Sequence, residues 1–599
     1  MSGAKKTRVR KVKNDAEKEF AKSLNKARKQ LPINTLEIEL LPDENYLSFR
    51  KSKKGHTYSA NNGFKHIIGI SEEMRQIRNT LVSVLMKNYT QLYRTKKYRQ
   101  LLKNYRKLSE QILKLELNKE SNKDLIAKIK LDKQQIGNKL EDMKIKYNVT
   151  KSFIVDYASF LKSQVFTKVD GILALKCADR VWLSMEKLMF GASEKISFLK
   201  QGYFPSLEGK QANRCLILKI DKQDKMYLKH NDFKFYLKIK KDDLYAQETV
   251  NCIKEYMVNG DEIDKNNVNL VNLGKQPVST YRVLYNRIVI KKIRGKHRLF
   301  LQIVYEGKTV PKRKKDGSFR HEFGIGRVAT DVGTQSVASV SSNEVIFKNL
   351  AERGKKALNF ERKIRLIQRA MDRSRRANNK DFYNEVGTIK PYKERPKNYK
   401  WVNSKNYLRL KKKYFEMNRK ASASRMYSTN EDVNRLRSLG DEAIVEQMNI
   451  KALQKKSKET TINEKTGRIN RKKRFGKSIA NRCPGAFIAQ LKYRFESTGG
   501  TYKEVNTWTF KASQYDHMSM ECNKKQLSQR WHLFENGIKV QRDIYSAMLL
   551  YCSDSEYSKP DNDLCNKFFS KFLKMHNSCI DNIKVNKIKV LNSGIKLNV

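Results

Sequence analysis

The chain has 599 residues, with 126 lysines and arginines against 62 aspartates and glutamates, so its formal net charge is +64. Because like charges repel one another in a compact state, we expect a polyanionic partner, and basic residues spread along the whole chain favour nucleic acid over a membrane surface. The sequence contains no apolar run long enough for a membrane span or a secretory signal, and its eight cysteines form no C-x-x-C pair. We therefore expect a soluble, cytoplasmic protein of three or more structural units, without a disulfide framework or a cysteine-rich zinc site.

The first half of the chain alternates between strand-like and helix-like patterns. Residues 35–50 alternate apolar and polar side chains, which predicts strands around a turn at Pro42. Residues 70–198 repeat apolar side chains at a spacing of three or four, which predicts helices with a basic outer face. Strand signals return between 202 and 310, with a helix near 245–258. A β unit split by a helical insertion would bring residues 35–50 together with the later strands.

Two basic stretches follow. The first is helical, and its arginines step by three or four residues, so they share one face: Arg362, Arg365, Arg369, Arg373 and Arg376. The second, residues 391–420, mixes basic residues with aromatic ones such as Tyr399 and Trp401, a composition typical of phosphate contact plus base stacking. The alternatives are a solvated charged face for the arginines and packing for the aromatics. The basic loop 455–478, which contains Arg474, is either a lid or a linker.

Three carboxylates stand out by their surroundings. Asp331 follows an apolar segment and precedes a glycine turn, Glu446 ends the apolar strand AIV, and Asp543 opens an apolar helix. A carboxylate at the end of an apolar strand is costly unless it is paired or bound to a metal ion. Each residue alone has a structural explanation. Together, carboxylates from separate elements are what two-metal hydrolysis requires.

In order and context, these segments resemble the three RuvC motifs of TnpB proteins and of the type V CRISPR effector nucleases, over roughly residues 326–552. Asp331 stands where the family has the Asp of D-x-G, Glu446 where it has the Glu of an I-x-x-E-x-L-N-like strand, and Asp543 where it has the Asp of D-R-D-x-N-A-A. The Asn of the third motif is Tyr545 here. This substitution is a departure that removes no metal ligand.

A larger departure lies between the second and third motifs, where the family usually carries a zinc ribbon with two C-x-x-C pairs. Only His517, Cys522 and His532 could serve as ligands here, at the wrong spacing for a tetrahedral site. We expect a metal-free turn or short hairpin in its place. Arg530 of this segment is the candidate for contact with the scissile phosphate, and a surface arginine is the alternative.

The resemblance implies a mid-sized, RuvC-type, RNA-guided DNA nuclease of a prokaryotic or phage-infected cell that lacks the zinc ribbon. Two Mg²⁺ ions, with Mn²⁺ as a substitute, would be held by Asp331, Glu446 and Asp543, and no structural zinc is expected. The implied partners are a guide RNA and a double-stranded DNA target, with no membrane. A monomer is the default expectation, and a dimer stays open.

The implied fold class is α+β and multidomain, with an RNase H-like RuvC domain built on a mixed sheet, a β-barrel wedge domain and a helical recognition domain. The predicted boundaries are a basic arm with the first wedge strands (1–64), the recognition domain (65–200), the wedge barrel (201–324), RuvC part I (325–350), a basic helical segment (351–438), RuvC part II with the lid loop (439–510), a degenerate target-binding segment (511–540) and RuvC part III with the tail (541–599).

Two other functions are open to this sequence. A guided repressor would occupy DNA without cutting it, although all three carboxylates are present. An unguided RNase H-like transposase or a structural RNA-binding protein would also suit the charge, and would not purify with a defined guide RNA.

Overall fold

The computed structural model describes residues 14–42, 61–116, 123–191, 193–202, 204, 206–352, 354–391, 394–395, 400–454, 462, 476–526 and 528–597. The helices are α1 (Asp15–Gln30), α2 (Asn61–Arg94), α3 (Lys96–Leu115), α4 (Lys123–Lys146), α5 (Lys151–Gln164), α6 (Gly171–Met189), α7 (Leu244–Asn272), α8 (Gly354–Ala377), α9 (Lys405–Leu439), α10 (Ile450–Gln454), α11 (Gly476–Arg482), α12 (Pro484–Ser497), α13 (Thr507–Phe510), α14 (Arg542–Tyr551) and α15 (Asn562–Val585), with a 3-10 turn at Lys380–Phe382. The strands are β1 (Ile33–Pro42), β2 (Ser206–Glu208), β3 (Ile217–Ile220), β4 (Met226–His230), β5 (Phe233–Lys238), β6 (Arg282–Ile293), β7 (Lys296–Glu306), β8 (Arg327–Val332), β9 (Ser336–Ser341), β10 (Val345–Asn349), β11 (Glu442–Glu446), β12 (Thr501–Val505), β13 (Trp531–Leu533) and β14 (Lys539–Gln541).

The chain divides into two compact units. Unit 1 comprises Met1–Ile33, Asn266–Ser279 and Gly307–Val599, and unit 2 comprises Asn34–Lys265 and Thr280–Glu306. No helix in the described part of either unit is long and apolar enough to cross a membrane. The finer domain boundaries expected from the sequence stay a prediction.

Unit 2 is built on a sheet of seven described strands in the order β2-β6-β7-β1-β5-β4-β3. β1 pairs antiparallel with β5, for example Leu40 with Leu237, so the strand near the start of the chain lies among strands far later in the sequence. The predicted split of a β unit by a helical insertion is therefore confirmed, with α2 to α6 between β1 and β2.

The prediction of a β-barrel was wrong, because the described strands of unit 2 form an open sheet. Its edge strands are β2, of three residues, and β3, of four residues, and they do not pair with each other. Closure of a barrel requires strands that pair around the full circumference with a fixed stagger. Two short edge strands offer too few backbone groups for that pairing.

Unit 1 contains the second sheet, a mixed one in the order β10-β9-β8-β11-β12 among the described strands. β10, β9 and β8 are antiparallel neighbours, whereas β8, β11 and β12 run parallel. The starts of β8 and β11 come so close that a side chain at Gly440 would collide with the Gly326 carbonyl oxygen. That close approach explains a glycine immediately before the sequence DEAIVE.

Successive strand residues point to opposite sides of the sheet, and both sides carry apolar side chains. Helices cover both faces. Val328 and Val445 pack on one side with α9 and α12, whose contributions include Leu436. Ala329 and Ile444 pack on the other side with α14 and α15. The two sides form separate hydrophobic cores, and the side beneath α14 carries the candidate site.

Candidate active site

Two of the predicted carboxylates meet at the carboxyl ends of neighbouring parallel strands. β8 and β11 pair in register through Thr330 and Val445. Asp331 and Glu446 are the next residues along these two strands, so they stand side by side. Register between strands so distant in sequence is a property of the folded sheet, and the sequence motifs alone do not state it.

Asp331 and Glu446 also share a face of the sheet. Ala329 and Ile444, two residues earlier on each strand, lie in the core beneath α14. Since side chains alternate along a strand, Asp331 and Glu446 point to that same side. α14 packs on β8 and β11, and its first turn carries Asp543. The fold therefore brings all three predicted carboxylates to one side of the sheet.

Gln541 fixes the beginning of α14 and the Asp543 side chain. Its Oε1 accepts a hydrogen bond from the Ile544 backbone N–H at 2.9 Å, which caps the helix. Its Nε2 donates to Asp543 Oδ2 at 3.4 Å and to the Ser593 carbonyl at 3.3 Å. The backbone N–H of Gln541 donates to His576 Nε2 at 3.0 Å. Sequence reasoning missed Gln541, although it stands at the first position of the segment QRDIYSA that drew attention to Asp543.

Arg542 brings a positive charge to the site. Its guanidinium contacts Asp543 Oδ1, with Nε at 3.3 Å and an Nη at 3.2 Å, and donates to the Gln529 carbonyl at 2.9 Å. Its position directly before Asp543 was the available sequence signal. The predicted Arg530 lies next to Arg542, and the Arg530 backbone carbonyl accepts a hydrogen bond from the Arg542 backbone N–H at 3.0 Å. Within the described chain, Arg530 forms no ion pair with the carboxylates, and its role stays a prediction.

The three carboxylates influence one another electrostatically. Burial, followed by the charges of Asp543 and Glu446, raises the pKa of Asp331 well above its usual value, and Arg542 opposes that shift. Burial raises the pKa of Glu446 to about 7. The shift of Asp331 marks a site where negative charge is crowded and where a bound cation would be favourable.

The donor set fits Mg²⁺, because carboxylate oxygens are the protein ligands that this ion uses. Among the residues that the structure describes, no group of three or more His, Cys, Asp or Glu side chains is already gathered to hold a metal ion. The three carboxylates thus interact across the site without forming a closed cage.

In the segment 511–540, where we expected a turn or short hairpin, β13 and β14 form a short antiparallel hairpin. His532 of this hairpin forms a hydrogen bond between its Nε2 and Asp516 Oδ2 at 2.9 Å. Its ring stacks on Tyr545 at a centroid distance of 4.8 Å. The Tyr545 hydroxyl accepts the His517 backbone N–H at 3.0 Å and bonds His517 Nδ1 at 2.7 Å. Cys522 is exposed. Through these contacts, Tyr545 helps to join the hairpin segment to α14.

The predicted arginine stripe lies on α8, where all five side chains are exposed: Arg362, Arg365, Arg369, Arg373 and Arg376. Two of them have acidic neighbours on the same helix, Arg365 with Glu361 at 3.6 Å and Arg376 with Asp372 at 2.7 Å. The other three form no ion pair with any described residue. The stripe therefore presents unneutralised positive charge to solvent.

Trp401 uses its ring for contacts inside unit 1. It stacks on Phe382 at a centroid distance of 4.3 Å and lies under the Arg375 guanidinium at 3.8 Å. These contacts join the segment before α9 to the end of α8. For Trp401, they agree with the alternative that the aromatic residues serve packing. Tyr399 and Arg474, the latter with most of its basic loop, lie outside the described residues.

Comparison with protein-family models gives no match, and no curated protein matches the sequence. Among solved structures, the chain is similar to a Cas12f1-sgRNA-target DNA complex, with 10% identity, a TM-score of 0.42, and coverage of 88% of this chain and 99% of that one. A CRISPR-Cas12f ternary complex gives 12% identity, a TM-score of 0.22 and coverage of 90% and 96%. A Cas12i1 R-loop complex gives 10% identity, a TM-score of 0.24 and coverage of 87% and 66%.

Proposed function

We propose that the chain is an RNA-guided, Mg²⁺-dependent DNA endonuclease of the RuvC type, which cuts target DNA next to a short flanking motif. The observation that carries the proposal is the side-by-side register of Asp331 and Glu446 on parallel strands, under a helix whose first turn holds Asp543. The mixed five-stranded sheet with helices on both faces supports an RNase H-like domain around them.

Each residue of the site has a distinct task in this proposal. Asp331, Glu446 and Asp543 supply carboxylate oxygens from three separate elements, which spreads the ligands around the place of the phosphate. Gln541 orients Asp543, and Arg542 reduces the mutual repulsion of the carboxylates. Two Mg²⁺ ions, when bound, supply charge neutralisation at the phosphate and lower the pKa of the attacking water.

Guidance by RNA is supported by the resemblance of the three motifs, whereas the net charge of +64 suits nucleic-acid binding with or without a guide. In this proposal, base pairing between guide and target supplies sequence recognition, and the protein contacts mainly the backbone of both nucleic acids. The arginine stripe on α8 is the described surface best suited to such phosphate contacts.

The catalytic part is tested by Asp331→Ala in a cleavage assay with Mg²⁺ and the guide RNA. We expect cleavage to be lost while guide and target binding persist, because Asp331 would help to hold the ions and would not itself be needed to bind guide or target. Asp316→Ala, at an exposed turn of the same unit, is the matched control and should cut like the parent. Equal cleavage by Asp331→Ala would overturn the site.

The guided part is tested by sequencing the RNA that copurifies with the chain. A defined scaffold with a variable end is expected. Bulk cellular RNA would contradict guidance and favour an unguided transposase or RNA-binding protein. Stable target binding without cleavage by the parent chain would instead identify a repressor.

A further inference from the structure

Trp508 is exposed to solvent and does not pack in the hydrophobic cores of the described chain. Its side chain is 85% exposed, and its indole makes no hydrogen bond or ring contact with any residue that the structure describes. The other three tryptophans are engaged, since Trp182 donates to Glu186 at 2.8 Å, Trp401 stacks on Phe382, and Trp531 donates to the Gly594 carbonyl at 3.1 Å.

The backbone that carries Trp508 is held firmly. The Asn506 side chain accepts the Trp508 backbone N–H at 2.9 Å and so caps the short helix α13. The Thr507 hydroxyl donates to the Gln447 carbonyl at 2.6 Å. Phe510, at the end of α13, is buried in the core beneath the sheet. The indole is therefore displayed from a fixed base.

The backbone around Trp508 lies at the carboxyl end of β12, next to the strand end that carries Glu446. Val505, the last residue of β12, is in register with Glu446 on β11, and its carbonyl accepts the Gln447 N–H at 2.9 Å. Trp508 follows three residues later, beyond the carboxyl ends of β8, β11 and β12. In open sheets with parallel strands, ligands bind outside these ends.

We propose that Trp508 is the stacking platform for an unpaired base of the DNA strand that enters the carboxylate site. This inference rests on the proposed nuclease function. An exposed indole binds any base through its π-face, so the contact is independent of sequence. Bases inside a duplex have their faces covered by neighbouring bases, and only an unstacked base can use the platform. Trp508 would thus position a single strand, and it is not a catalytic residue.

The test uses the full chain carrying Asp331→Ala, so that binding is measured without cleavage, and oligodeoxythymidylate as the probe. Raised salt weakens phosphate contacts and leaves stacking as a larger share of the affinity. We expect Trp508→Ala to raise the Kd about tenfold and to lose the part of the tryptophan quenching that the oligonucleotide causes. Trp508→Phe, which keeps an aromatic face, should lose less affinity.

Val585→Ala is the control, because it removes another side chain of unit 1 that is 79% exposed. Its Kd should not change. In the chain with an intact Asp331, Trp508→Ala should raise KM and leave kcat nearly unchanged, which a general loss of structure would not do. Unchanged Kd and quenching in Trp508→Ala overturn the inference alone. Cleavage by Asp331→Ala at the parental rate overturns the proposed function, and with it the placement of Trp508.

Discussion

Glu446 stands beside Asp331 at the ends of two parallel strands, one step beyond the registered pair of Val445 and Thr330. Two carboxylates in this position, with a third on the covering helix, repel one another when no metal ion is bound, and Arg542 only partly offsets this repulsion. Burial first, and then the charges of Asp543 and Glu446, raise the pKa of Asp331, so the site is a source of instability in the metal-free protein.

The first prediction concerns the pH dependence of stability. The pKa of Glu446 is raised from 4.5 to about 7, so between these values the folded chain retains a proton that the unfolded chain has released. The free energy of unfolding of the metal-free protein therefore falls as the pH rises through this window. Because glutamine cannot ionise, Glu446→Gln should be more stable than the parent above pH 7, by about 3 kcal/mol, and similar to it in acid.

Chemical denaturation in a chelator at several pH values measures this difference. Glu535→Gln removes an exposed carboxylate of the same unit and should change stability by less than about 0.5 kcal/mol. A Glu446→Gln chain no more stable than the parent above neutral pH would contradict the burial of the Glu446 carboxylate that raises its pKa.

The second prediction concerns Gln541, which caps α14 and holds Asp543. Gln541→Leu should lower the free energy of unfolding by about 1–2 kcal/mol, because the Ile544 N–H loses its acceptor. It should also lower kcat, because Asp543 loses a donor that orients it. Asp561→Ala removes the cap of α15, where Asp561 accepts the Leu564 N–H at 3.1 Å. That control should lose similar stability and retain kcat at a temperature where both chains are folded.

The third prediction concerns the aromatic cluster of Tyr545, His517 and His532. Tyr545→Phe keeps the ring that stacks on His532 but leaves the buried His517 N–H without its acceptor. We expect a loss of about 1–3 kcal/mol in the free energy of unfolding. Tyr551→Phe, whose ring stacks on Phe568, is the matched control with a smaller expected loss. Equal losses in the two variants would argue against the hydroxyl contact.

The fourth prediction concerns the arginine stripe. Arg362, Arg369 and Arg373 form no ion pair with described residues, so each is free to contact a phosphate. Each substitution by alanine should weaken nucleic-acid binding regardless of sequence and reduce the slope of log Kd against log salt by about 1. Arg419→Ala, which removes a side chain already paired with Glu416 at 2.7 Å, should leave the slope unchanged.

The sequence by itself determined the local setting of the carboxylates. An apolar strand ending in Glu446 and an apolar helix opening with Asp543 are patterns of neighbouring residues, and both elements are present where those patterns placed them. The split β unit of unit 2 was also predictable, because strand residues around Leu40 need partners that the following helices cannot provide.

Only the tertiary structure decided which side chains meet. The register that sets Asp331 beside Glu446, and the contacts of Gln541 and Arg542 with Asp543, depend on strand pairing and helix packing across distant segments. The same holds for Tyr545, which looked like a simple departure from a motif and helps to join the hairpin segment to α14. Hydrogen-bond partners and register are long-range properties, so the periodicity of a local segment predicts an element but not its neighbours.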